Sequence, residues 1–148
     1  MRKIESPSAM RNLGMELAKQ LVAGDLVILS GDLGAGKTAL TQGIGAGLGF
    51  TDITSPTFVI SRVHKGEPPL IHIDAYRLLN QERGVFEFDD LDIDTEMKDA
   101  VTVIEWGDQF APRLSDQFLQ LKIEFGKSES ERLVTAIGHG ARWEGFSL

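Results

Sequence analysis

At 148 residues, 42% hydrophobic and 25% charged, the chain has the size and composition of one globular domain, 1–148, and no apolar run approaches the roughly 18 residues a membrane span requires. It has no cysteine, which excludes a disulfide scaffold, a thiol nucleophile and a cysteine-ligated zinc or iron–sulfur site. Fifteen Lys and Arg against 22 Asp and Glu give a net charge of −7, which opposes non-specific attraction to phosphate backbones or anionic lipid; with no signal-peptide pattern at Met1-Arg2-Lys3-Ile4, the reading is a cytoplasmic protein whose nucleic-acid role is indirect.

Met10, Leu13, Leu17 and Leu21 recur at helical spacing behind Ser8, an expected N-cap, and predict an amphipathic helix ending near Gly24. Leu26-Val27-Ile28-Leu29 is a short continuous apolar run between turn residues, the pattern of a strand buried on both faces. A helix is predicted over 38–48, with Leu40, Ile44 and Leu48 on one side and Gly49 closing it. Residues 58–63 and 70–73 predict strands joined through Lys65-Gly66-Glu67-Pro68-Pro69, as in a hairpin. The stretch from Asn80 to Asp99 is acidic and weakly periodic; it predicts no regular element, with Phe86, Phe88, Leu91 and Ile93 as its anchors. Val101 to Ile104 is another buried-type strand, residues 118–123 alternate, and residues 133–137 should pair with them across the Gly126 to Ser130 turn.

Between the first strand and the following helix lies Gly31-Asp32-Leu33-Gly34-Ala35-Gly36-Lys37-Thr38. A backbone that wraps phosphate oxygens must reach positive φ and carry few side chains, which Gly31, Gly34 and Gly36 permit. The amides of the Gly34 to Thr38 stretch and the positive end of the next helix would face the phosphates. Lys37 would supply a cation to the β and γ oxygens, and the Thr38 hydroxyl would ligate Mg²⁺. By average residue usage the pattern arises by chance in roughly one such chain in two hundred. Its setting between a buried strand and a helix is the context the motif requires, so it reads as a P-loop for a nucleoside triphosphate and Mg²⁺.

Such a site calls for a carboxylate at the end of a second buried strand. Glu105 after 101–104 and Asp74 after 70–73 both fit, and physics alone does not rank them. Thr57, in Ser55-Pro56-Thr57-Phe58, stands where a γ-phosphate sensor would sit, although a plain proline turn opening a strand explains the segment as well. His72 and Arg77 flank Asp74, yet a lone strand histidine is more often a satisfied structural one. Tyr76 and Trp106 would stack on a base or, more commonly for aromatics after buried strands, join the core.

In order and spacing, the P-loop at 31–38, Ser-Pro-Thr-Phe at 55–58, His-Ile-Asp-Ala-Tyr-Arg at 72–77 and Glu-Trp-Gly at 105–107 resemble the bacterial TsaE (YjeE) family. The resemblance covers nearly the whole chain. It implies a three-layer α/β P-loop NTPase fold with a mixed, partly antiparallel sheet. It also implies a small ATPase, with ATP and Mg²⁺ as ligands, required for making threonylcarbamoyladenosine beside the tRNA anticodon. Members work with TsaB and TsaD, so tRNA would be met indirectly, through that complex. Carried over residue by residue, it makes Lys37, Asp74 and Glu105 catalytic and makes Thr38 and Glu105 the Mg²⁺ ligands. Gly34, Ala35, Gly36, Lys37, Thr38, Ala39, Thr57 and Trp106 become the nucleotide-binding set, with Thr57 in a nucleotide-sensitive switch. Ala39 stands where many members have a second threonine, Met10 where a nucleotide-contacting threonine is common, and residues 82–96 depart from the family pattern.

Other functions remain open to a P-loop protein. A GTP-driven switch normally carries an Asn or Thr-Lys-x-Asp element after a strand, and the chain has none. A small-molecule kinase would carry an arginine-bearing lid, whereas Arg77, Arg83 and Arg113 are scattered. A non-catalytic assembly protein would use nucleotide for stability alone. With no evident arginine finger, hydrolysis by the isolated protein should be slow and stimulated by partners.

Overall fold

The computed structural model describes residues 1–54, 61–79 and 81–148. The Ser55–Phe58 segment with Thr57, and the first part of the strand predicted over 58–63, lie outside the described residues. Among the described residues seven strands form one sheet: β1 (Arg2–Ile4), β2 (Leu26–Ser30), β3 (Ser61–His64), β4 (Leu70–Asp74), β5 (Val101–Glu105), β6 (Phe118–Phe125) and β7 (Arg132–His139), in the order β1-β7-β6-β2-β5-β4-β3. The four middle strands, β6, β2, β5 and β4, run parallel, and β3, β7 and β1 add antiparallel to the two sides. This is the mixed sheet expected from the sequence, with β3–β4 and β6–β7 as the expected antiparallel pairs.

Alternation along the central strands sends successive side chains to opposite faces. Val27 and Leu29, Leu70, Val101 and Val103, and Leu119 and Leu121 pack with α1 (Pro7–Ala18) and α2 (Lys37–Gly47). Leu26 and Ile28, Ile71 and Ile73, and Ile104 pack on the other face with Phe88, Met97, Phe110 and Ala111, from α3 (Gly84–Asp89), α4 (Asp94–Met97) and the start of α5 (Ala111–Leu114). The result is three layers, in which each fully buried Leu, Ile or Val contributes about 1.5–3 kcal/mol of transfer free energy.

The structure corrects several boundaries. Ser6, not Ser8, caps α1: its Oγ accepts from Ala9 N at 3.0 Å, because Pro7 has no N–H to satisfy and its fixed φ suits the first helical position. The N-terminal residues form β1, an edge strand of three residues and so too short to show a period in the sequence. The acidic stretch from 81 to 99 contains α3 and α4, both too short to give a helical period. Phe88 and Ile93 anchor it in the core and Leu91 is half-buried, but Phe86 is 65% exposed. α2 ends as expected: Gly49 takes φ +96°, and Phe50 N and Gly49 N bond Gly45 O and Ala46 O at 2.8 and 3.1 Å.

Candidate functional site

The fold brings the carboxyl ends of β2, β4 and β5 together at one edge of the sheet, the place where parallel α/β sheets bind ligands. β2 delivers the chain into the Gly31–Gly36 loop and α2 leaves it. Gly34 and Gly36 hold φ +80° and +115°, conformations that L side chains rarely adopt. No side chain caps the first turn of α2, so its leading amides and the positive end of its dipole face the cleft.

Lys37 Nζ donates to Gly31 O at 2.6 Å and Asp32 O at 2.8 Å, and lies 3.9 Å from the centre of the Trp106 ring. Burial pulls its ammonium below the ordinary lysine value, and the charges of Glu105, Asp74, Asp32 and Asp108 oppose that shift. Thr38 Oγ1 donates to Glu105 Oε1 at 3.2 Å, while Glu105 Oε2 meets His72 Nε2 at 2.6 Å. Asp74 is the register partner of Glu105 on the adjacent strand, and its Oδ1 accepts from Tyr76 N at 3.0 Å. Trp106 takes φ +62°, a left-handed conformation rare for a non-glycine residue, and packs on the Tyr76 ring at 5.1 Å. Tyr76 is 52% exposed, while Trp106 both lines the cleft and packs against the core on that face of the sheet.

Gly34, Gly36, Lys37, Thr38, Asp74, Glu105 and Trp106 therefore line one cleft together with Leu33. Ala35 and Ala39 face a neighbouring cleft across the loop, shared with Gly34 and Gly36 and bordered by Ser6, Met10, Ser130 and Arg132. Thr57 lies outside the described residues. The donors at Thr38 and Glu105 are hard oxygens, which suit Mg²⁺. Among the described residues no group of three His, Asp or Glu converges into a metal cage; Mg²⁺ is usually held by one or two protein oxygens plus substrate phosphates and water, so the donor set fits that ion.

Three polar contacts around the loop carried no sequence signal, because their members are far apart in the chain. Arg132, at the start of β7, donates from Nε to Ala35 O at 3.1 Å and from Nη1 to Glu129 O and Glu131 O, tying the loop to the β6–β7 turn. Ser30 Oγ donates to Asp108 Oδ2 at 2.7 Å and Gln120 Nε2 to the same oxygen at 3.1 Å, joining the root of the loop to the segment after Glu105. The third is the His72–Glu105 pair. Arg113, by contrast, pairs with Asp89 at 2.6 Å, outside the set of residues that line the cleft.

The model of the family described as threonylcarbamoyl adenosine biosynthesis protein TsaE matches residues 4–134. The chain is 52% identical over 141 residues to the tRNA threonylcarbamoyladenosine biosynthesis protein TsaE of Streptomyces coelicolor, covering 90% of this chain and 93% of that one. It is 45% identical over 130 residues to the Mycobacterium tuberculosis protein of that name, covering 83% and 77% of the two chains. The crystal structure of Bacillus subtilis YdiB superimposes with a TM-score of 0.77 at 30% identity, covering 97% of this chain and 87% of that one. On the family match, the identities and the shared fold, the chain belongs to the TsaE family.

Proposed function

We propose that the protein is an Mg²⁺-dependent ATPase of threonylcarbamoyladenosine synthesis on tRNA, acting with TsaB and TsaD in the cytoplasm and reaching tRNA through that complex. The observation that carries the reading is the convergence of Lys37, Thr38, Asp74 and Glu105 in one cleft at the mouth of a P-loop. Family membership supplies the pathway, since the matched relatives are named for it.

The loop amides and the α2 dipole bind and orient the triphosphate. Gly31 O and Asp32 O take two donors of the Lys37 ammonium and hold it at the base of the cleft, which directs the third at a β- or γ-phosphate oxygen. Thr38 Oγ1 and Glu105 Oε1 would be the protein oxygens that hold Mg²⁺, and the ion would supply neutralisation of the charge building on the phosphates. Asp74, the register partner of Glu105 on the adjacent strand, would accept a proton from the attacking water and orient it. Trp106 covers the ammonium and excludes solvent from it.

The test compares ATP hydrolysis by the protein alone and mixed with TsaB and TsaD, together with nucleotide-dependent complex formation. Slow hydrolysis alone and faster hydrolysis in the mixture are expected. Glu105→Ala and Asp74→Ala should each lower the rate about 100-fold or more while nucleotide still binds. Wild-type rates in both variants, preference for GTP, or phosphate transferred to a metabolite instead of water would each refute the reading.

A further inference from the structure

His72 stands on β4 opposite Val103 of β5, and Glu105 lies two residues further along β5 on the same face. That diagonal relation brings the imidazole against the carboxylate, with Nε2 2.6 Å from Oε2. Both side chains are buried, His72 completely. Its Nδ1 has no hydrogen-bond partner among the described residues. A leucine would fill this volume without leaving a buried nitrogen unsatisfied, so packing does not account for an imidazole here. What the imidazole adds is one donor aimed at one oxygen. Glu105 is then held at both ends, Oε2 by His72 and Oε1 facing Thr38 Oγ1 at 3.2 Å. Without the first contact the carboxylate is free to rotate about its last bond and turn either oxygen away from Thr38.

We propose that His72 is the positioning residue for Glu105: its Nε2–H fixes the carboxylate so that Oε1, beside the Thr38 hydroxyl, is presented to the metal. The inference rests on the assignment of Thr38 and Glu105 as the Mg²⁺ oxygens. It gives His72 no contact with nucleotide and no proton transfer. Groups that hold a metal ligand from behind typically alter metal affinity about 10–100-fold when removed. Glutamine extends an amide N–H to about the same reach as Nε2, whereas leucine fills the space without a donor.

The experiment measures ADP affinity by calorimetry across a Mg²⁺ series and in EDTA, for the wild type, His72→Gln and His72→Leu. Leucine should raise the Mg²⁺ concentration that gives half the metal-dependent gain by about 10–100-fold, and glutamine by less than about threefold. ADP affinity in EDTA should be unchanged in all three. An unchanged Mg²⁺ midpoint in His72→Leu, equal losses in the two variants, or a matching loss in EDTA overturns the proposal, because a packing role moves all of these together. If the wild type gains no affinity from Mg²⁺, the metal assignment itself falls, and this proposal with it. A second measurement needs no variant: ¹⁵N spectra of the wild-type imidazole should show Nε2 protonated, and a bare Nε2 overturns the proposal even if the leucine chain does not fold.

Discussion

Gly14 lies where α1 crosses α2, and it tests how tightly helix packing holds the Gly31–Gly36 loop. A Cβ added at Gly14 would sit 2.5 Å from Leu40 O, 2.6 Å from Ile44 N and 2.8 Å from the Gly43 carbonyl carbon. All three are backbone atoms of α2, so no rotamer change relieves the overlap, and the helices must separate by roughly 1 Å to restore normal contact. Gly14→Ala gains about 1 kcal/mol of helix propensity and loses about 3 kcal/mol, the upper end of ordinary overpacking, for a net loss of about 2 kcal/mol. In a domain of this size that lowers Tm by about 4–8 °C. Because Leu40 sits one turn beyond Lys37, the shift also carries the head of α2, and nucleotide affinity should fall with stability. Urea denaturation with calorimetric ADP binding reads both quantities. A variant as stable as wild type with unchanged ADP affinity would refute the argument that this helix contact is rigid and positions the loop.

Lys37→Ala removes the one cationic side chain that lines the cleft among the described residues and should weaken ATP binding about 10–100-fold, the equivalent of a charged hydrogen bond, with little change in Tm; fluorescence or calorimetric titration checks this. Arg132→Ala frees the Ala35 carbonyl and the β6–β7 turn together, so ADP affinity should drop by about fivefold through loss of loop order, the equivalent of one hydrogen bond, with the fold retained by circular dichroism. Asp25 is buried and bound at both oxygens by Arg142, at 2.9 and 2.8 Å, and it also accepts from Val22 N. Arg142→Ala strands that carboxylate and should destabilise by about 2 kcal/mol, less than for a fully buried pair because the Arg142 side chain is 37% exposed; urea denaturation reads the loss, and ATP hydrolysis should be unaffected.

The loop at 31–38 was legible because its chemistry is contiguous: a glycine-rich turn between a buried strand and a helix is written in adjacent residues, and local geometry follows from them. The continuous apolar run at 26–29 and the largely apolar segments at 70–73 and 101–104 announced central strands for the same reason, and the turn residues at 65–69 and 126–130 announced the β3–β4 and β6–β7 pairs. Short elements escaped. β1, α3 and α4 are held by tertiary contacts, and a segment of three to six residues is too brief to display a period.

The sequence by itself determined that a glycine-rich loop joins a buried strand to a helix and that Glu105 and Asp74 end buried strands. It did not decide which of them meets the loop. The order of strands did: β5 lies directly beside β2, so Glu105 reaches Thr38, while β4 is one strand further out and sets Asp74 at the flank. Strand order also turned a solitary histidine into the partner of Glu105, set the Trp106 ring against the Lys37 ammonium in the cleft, and carried Arg132 back to a loop 97 residues earlier. Such contacts join residues with no local relation in the chain. Only the pairing of whole strands, driven by burial of both faces of the sheet, brings them within a hydrogen bond of each other.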